Sequence, residues 1–201
     1  MLDGWARSRI DRILDRIAPA LASRGISPNT VTICAFAVGI AAATAIAWGW
    51  FLAGLALLLV SRLGDGLDGA VAKIRGRTDL GGYLDIVLDF AFYGAIPLGF
   101  VLFDPAANAV AGAALILSFY VNGSSFLAFA VMAEKRGIDT AARGPKSLFF
   151  TTGLAEATET IAVFCAFCLF PGWFAALAYA FAALTFYTTL SRIVLAVRTF
   201  R

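Results

Sequence analysis

The stretch Asp65–Asp89, DGLDGAVAKIRGRTDLGGYLDIVLD, sets four aspartates, Asp65, Asp68, Asp85 and Asp89, between long apolar runs. An ionised carboxylate at membrane depth is costly, and acids kept there usually serve function. Asp65 and Asp68 are spaced i,i+3, and Asp85 and Asp89 i,i+4, so each pair lies on one face of a helix. Two antiparallel helices joined by the basic segment Lys73–Asp79 would bring all four carboxylates to one depth. Such an oxygen-rich cluster suits Mg²⁺, Mn²⁺ or Ca²⁺ rather than zinc. Four close carboxylates repel one another. Two divalent ions would offset that charge and clamp a pyrophosphate.

The rest of the chain is apolar enough for this reading. Of 201 residues, 61% are hydrophobic and 14% are charged, where soluble domains carry about 25% charged residues. Histidine is absent, which excludes imidazole catalysis and imidazole ligation. Acid–base work falls to Asp, Glu, Lys, Tyr or Cys. Cys34, Cys165 and Cys168 all lie in apolar segments. The pair Cys165-x-x-Cys168 has no second pair or histidine beside it, so packing is favoured over a redox or zinc role.

Spans of about 20 apolar residues are needed to cross a bilayer. Six are expected, at 28–49, 51–74, 81–103, 107–133, 148–170 and 173–197. The breaks are Gly49-Trp50, the basic loop after Lys73, Asp104-Pro105, the segment Glu134–Lys146 and Pro171-Gly172. Residues 3–24 mix arginines with Trp5, Ile10, Ile13, Leu14 and Ile17 at helical spacing. They read as an amphipathic helix on the membrane surface rather than a secretory signal, with packing on a partner as the alternative. The expected fold is all-α: one polytopic membrane domain over 1–201, with a juxtamembrane helix (1–25) and a six-helix bundle (26–201). Lys and Arg cluster before span one, between spans two and three, between spans four and five, and at the chain end. The positive-inside rule then places both termini and the acids on the cytoplasmic side.

Glycines surround the acids at Gly64, Gly66, Gly69, Gly76, Gly81 and Gly82. Some serve close helix packing, but Gly66 and Gly69 interleave with the acids and would let a bulky ligand approach the metal. Lys73 follows Gly69 by one turn and is expected to meet that ligand. Arg75 and Arg77 serve phosphate binding or topology.

The spacing Asp65-x-x-Asp68-Gly69-x-x-Ala72-Lys73-x7-Gly81-x3-Asp85-x3-Asp89 resembles the signature of the CDP-alcohol phosphotransferase family, D-x-x-D-G-x-x-A-R-x(7–8)-G-x3-D-x3-D. It departs from it at Lys73, where the family usually has Arg. A point charge there replaces a bidentate fork. The six-span layout and N-terminal helix are also similar to that family. The resemblance implies transfer of a substituted phosphate from a CDP-linked donor, CDP-diacylglycerol by preference, to the hydroxyl of an alcohol, with release of CMP. It implies Asp65, Asp68 and Asp85 as metal ligands, and Asp89 as the general base that also touches metal. It places Gly69, Lys73 and Thr78 on the donor nucleotide. The segment Pro28-Asn29-x-x-Thr32 resembles the family's P-N-x-x-T, which adds Asn29 and Thr32 to the donor site. It implies Mg²⁺ or Mn²⁺, two ions, as cofactor, a bacterial inner membrane as location, and a homodimer whose interface no feature of the sequence marks.

The acceptor is expected among spans four to six. Arg143, Lys146 and Arg192 are the candidate contacts, with Glu134, Lys135, Glu156 and Glu159 nearby. Arg192 lies within span six, where it binds an acceptor phosphate or carboxylate, or else snorkels to the interface. Glycerol 3-phosphate, inositol phosphate, serine and other amino alcohols all remain open. The alternatives are a soluble CDP-alcohol donor acting on diacylglycerol and, in another class, a divalent-cation channel or transporter. Nothing points to nucleic acid.

Overall fold

The computed structural model describes residues 14–138 and 157–201. Every element within them is helical. Residues 14–23 form the described part of α1. There follow α2 (Pro28–Ala47), α3 (Phe51–Arg75), α4 (Asp79–Phe103), α5 (Pro105–Lys135), α6 (Ala157–Leu169) and, after a 3₁₀ turn at Pro171–Trp173, α7 (Phe174–Phe200). Four helical segments, Pro28–Ala47, Asp79–Phe103, Pro105–Lys135 and Pro171–Phe200, are long and apolar enough to cross a membrane, and the chain is an integral membrane protein. Helix α3 is as long as α4, at 25 residues, but its second half carries Arg62, Asp65, Asp68, Lys73 and Arg75.

Local chemistry explains the breaks. Ser27 caps α2, accepting from the Thr30 amide at 3.1 Å, and Pro28 fills the first turn. At the far end of α2 the chain reverses through Gly49, whose φ of 79° favours a residue without a Cβ. Asp104 ends α4 and caps α5, accepting from the Ala107 amide at 3.1 Å. Asn108 ties that turn by donating to the Phe100 carbonyl at 2.9 Å.

Helix α2 packs on α3 and α4, α4 on α5, and α5 on α7. Small residues allow these approaches. A Cβ at Gly99 would collide with the Ala43 carbonyl, and one at Gly54 with Ile46. The core is aromatic: Phe92, Phe100, Phe164, Phe167 and Phe174 are fully buried, and Phe100 stacks on Phe174 with centroids 4.7 Å apart. Cys168 is buried in this core and Cys165 packs against it, as expected of packing residues. At one end of the bundle, where α2, α4 and α6 finish, Trp48, Trp50 and Trp173 are exposed, as in an interfacial aromatic belt. The aspartates lie toward the other end.

Helix α1 does not lie free. Leu14 and Ala18 are buried against Ala70 and Val71, with Leu21 and Leu67 alongside. Its described part therefore braces the back of the acidic segment of α3. Arg75 fixes the same junction by donating to the Ile26 carbonyl at 3.0 Å.

Candidate metal and transfer site

Helices α3 and α4 form a hairpin closed by Gly76–Thr78. Gly76 turns the chain with φ 96°, and the Thr78 side chain caps α4 by accepting from the Gly81 amide at 3.1 Å. The hairpin sets Asp65 and Asp68 of α3 against Asp85 of α4. One carboxylate oxygen from each lies within 4.8 Å of the others. Three hard oxygen donors at that spacing fit a divalent ion such as Mg²⁺ or Mn²⁺. The burial is graded: Asp68 is 7% exposed, Asp65 is half-buried and Asp85 is exposed. Thr32 of α2 orients the most buried of them, donating to Asp68 Oδ2 at 2.5 Å.

Asp89 stands outside this group of three. Its Oδ1 accepts from Arg62 Nη1 at 2.5 Å, and the same nitrogen lies 3.5 Å from Asp65 Oδ2. The Arg62 side chain is 9% exposed, with its guanidinium carbon 3.7 Å from the centroid of the Phe92 ring. Arg62 was not expected at the site. The signal was present: a lone arginine three residues before Asp65, inside an apolar run, is itself a charge at membrane depth.

Two cavities meet at the cluster. The first, of about 520 Å³, opens between α2 and the α3–α4 turn and is lined by Asn29, Thr32, Asp68, Gly69, Thr78 and Asp85, among others. It gathers every expected donor contact but Lys73, which is exposed and is not part of its lining. Arg75 and Arg77 supply the positive charge there instead. Nothing lies within 4 Å of where a Cβ of Gly69 would be, so that glycine borders open space. Gly66 behaves otherwise, since a Cβ there would strike Leu14 of α1. It is a packing residue, and of the two interleaved glycines only Gly69 faces space for a ligand.

The second cavity, of about 320 Å³, lies between α4, α5, α6 and α7. Aromatic side chains Phe90, Tyr93, Phe119 and Phe126 wall it, and Asp89, Asn122, Thr160 and Arg192 supply polar groups. Arg192 Nη1 donates to Asn122 Oδ1 at 3.1 Å, and its guanidinium carbon lies 5.5 Å from the Phe126 centroid. Arg192 thus points into the bundle rather than snorkelling. Asn122 and Thr160 were missed by sequence reasoning, because single polar residues in apolar helices carry no pattern of their own. Glu159 lies in the first turn of α6, and Glu134 and Lys135 end α5. Arg143, Lys146 and Glu156 fall outside the described residues. Asp85 lines both cavities, and Asp89 only the second.

Comparison with known proteins agrees with this geometry. The profile of the CDP-alcohol phosphatidyltransferase family matches residues 25–191. The chain is 47% identical over 193 residues to the inner membrane protein YnjF of Escherichia coli, covering 96% of this chain and 94% of that one. It is 31% identical to an archaetidylinositol phosphate synthase of Methanothermobacter thermautotrophicus, over 94% of this chain and 88% of the relative. Among solved structures, the fold is similar to phosphatidylinositol phosphate synthase of Mycobacterium tuberculosis with CDP-DAG bound. That match has a TM-score of 0.72 at 24% identity, covering 90% and 92% of the two chains. The same enzyme with manganese and citrate matches with a TM-score of 0.67 at 22% identity, over 90% and 87%.

Proposed function

The chain belongs to the CDP-alcohol phosphatidyltransferase family and is a CDP-alcohol phosphotransferase, and from that premise we propose that it transfers a phosphatidyl group from CDP-diacylglycerol to a phosphorylated polyol. Membership sets aside the cation channel or transporter. The observation that carries the proposal is the position of Asp85, which lines both cavities and so joins a donor chamber to an acceptor chamber at the carboxylate cluster.

The donor's nucleotide and pyrophosphate occupy the larger cavity, over Gly69, between Asn29 and Thr32 on one side and Thr78 on the other. Arg75 and Arg77 favour its phosphates. Asp65, Asp68 and Asp85 hold the divalent metal, Mg²⁺ or Mn²⁺, which neutralises the pyrophosphate and stabilises charge on the leaving oxygen. The acceptor enters the second cavity, where Arg192, aligned by Asn122, binds its phosphate. Asp89, on the wall of that chamber, takes the proton of the attacking hydroxyl. The acceptor oxygen bonds to the lipid-bearing β-phosphorus, the bond from that phosphorus to the CMP oxygen breaks, and CMP leaves. Thr32 keeps Asp68 in register, so that the reacting groups are positioned before the donor arrives.

An inositol phosphate is the preferred acceptor. An arginine in an aromatic-walled chamber suits a phosphate on a compact polyol, and the Methanothermobacter relative is an archaetidylinositol phosphate synthase. We further assign six spans, adding α3 and the helix ending at Leu169 to the four that qualify on length and composition. The basic end, with both termini and the site, then faces the cytoplasm.

Purified protein supplied with Mn²⁺ and CDP-diacylglycerol should release CMP on addition of inositol phosphate, and less with glycerol 3-phosphate or serine. Equal release with all three would remove the acceptor assignment. No release with any of them, or with a soluble CDP-alcohol and diacylglycerol, would remove the transfer mechanism.

A further inference from the structure

Arg62 is held on every side by groups that sequence spacing alone would not gather. Its Nη1 reaches Asp89 Oδ1 at 2.5 Å and Asp65 Oδ2 at 3.5 Å. Its Nη2 donates to Ser61 Oγ at 3.3 Å, and Ser61 is itself anchored by donating to the Ala35 carbonyl at 2.8 Å. The guanidinium lies on the fully buried Phe92 ring. Phe92 and Ser61 are pressed in turn against Gly39 of α2, where a Cβ would overlap both. The cradle is therefore built into three helices.

A guanidinium remains charged at any pH a protein tolerates. A divalent ion bridging Asp65 and Asp89 would sit against that fixed positive charge and compete with it for the same oxygens. The remaining acids form the group of three whose ligand atoms converge, and Asp89 is not among them. We propose that Arg62 is a resident cation filling the Asp65–Asp89 side of the carboxylate cluster, so that the site takes one divalent ion where the four acids alone would take two. The inference rests on the metal role assigned above to Asp65, Asp68 and Asp85. Arg62 also becomes a positioning residue: it fixes one oxygen of Asp89 and leaves the other for the acceptor hydroxyl.

The test counts bound Mn²⁺ by electron paramagnetic resonance on the purified full chain, without substrate or turnover. Wild type should saturate at about one Mn²⁺ per chain, with the spectrum of an isolated ion. Arg62→Met should rise to about two, with the broadening of a coupled pair, while Arg62→Lys should stay at about one. Two coupled ions in wild type would overturn the inference while leaving the metal role intact. So would an Arg62→Met protein that folds, by gel filtration and thermal melting, yet still binds one. If Arg62→Met fails to fold, the wild-type count decides. No Mn²⁺ bound to wild type would remove both the inference and the metal role beneath it.

Discussion

The α2–α3–α4 half of the molecule and the α5–α6–α7 half solve opposite problems. The first concentrates charge. Its acids and Arg62 are drawn from two helices joined by a three-residue turn, and a hydroxyl from α2 sets the most buried carboxylate. The second is apolar, with Arg192, Asn122 and Thr160 placed singly among aromatic rings. A transfer site needs rigid chemistry common to many acceptors, and a separate chamber that distinguishes between them. Dividing these tasks lets the acceptor chamber vary without disturbing the acids.

That division is open to breakage at defined points. Asp89→Asn should give the largest effect, lowering kcat by about 10³-fold, as for loss of a general base. Measured Mn²⁺ binding should persist, because Asp89 lies outside the group of three. Gly69→Val fills the open space over the larger cavity, and should raise the donor KM by about 30-fold, on the order of 2 kcal/mol of lost approach. The acceptor KM should be unchanged, and a rise in both would mean that the chambers are not independent. Arg192→Gln should raise the KM of a phosphorylated acceptor by about 10-fold through loss of a charge-assisted contact, with little change in donor KM. Thr32→Val removes the hydroxyl that donates to Asp68. It should weaken Mn²⁺ binding about 5-fold, within the range for one hydrogen bond to a charged group, as read by titration of the purified protein.

The two halves were also unequally legible. In the first half, the expected spans 28–49, 51–74 and 81–103 meet helices Pro28–Ala47, Phe51–Arg75 and Asp79–Phe103. Gly49, Ser27 and Thr78 end or begin those elements by local chemistry that sequence carries directly. The acids were visible because helical spacing and a short turn leave them few ways to be apart. Arg62 was missed for a physical reason: sorting basic residues by loop explains topology and passes over one that lies within a helix. Lys73 was placed by its spacing from Gly69, but the cavity wall turns away from it toward Arg75 and Arg77. The acceptor chamber was least legible. Its defining bond joins Arg192 to Asn122, 70 residues apart, and both belong to helices whose composition is dictated by lipid and packing. Only the packing of α5 on α7 brings that pair together.

The ion pairs of Arg62 with Asp65 and Asp89 have a consequence for biogenesis. All three residues belong to one helical hairpin, so they can meet as soon as α4 follows α3 out of the ribosome, before α5 exists. Closing so short a loop costs little entropy. A nascent hairpin that carries its own countercharge exposes fewer bare carboxylates to hydrocarbon on entering the bilayer. The arginine at the reaction centre is thus expected to serve first as an insertion aid, neutralising the acids at a stage when no ion or substrate is yet in place to do so.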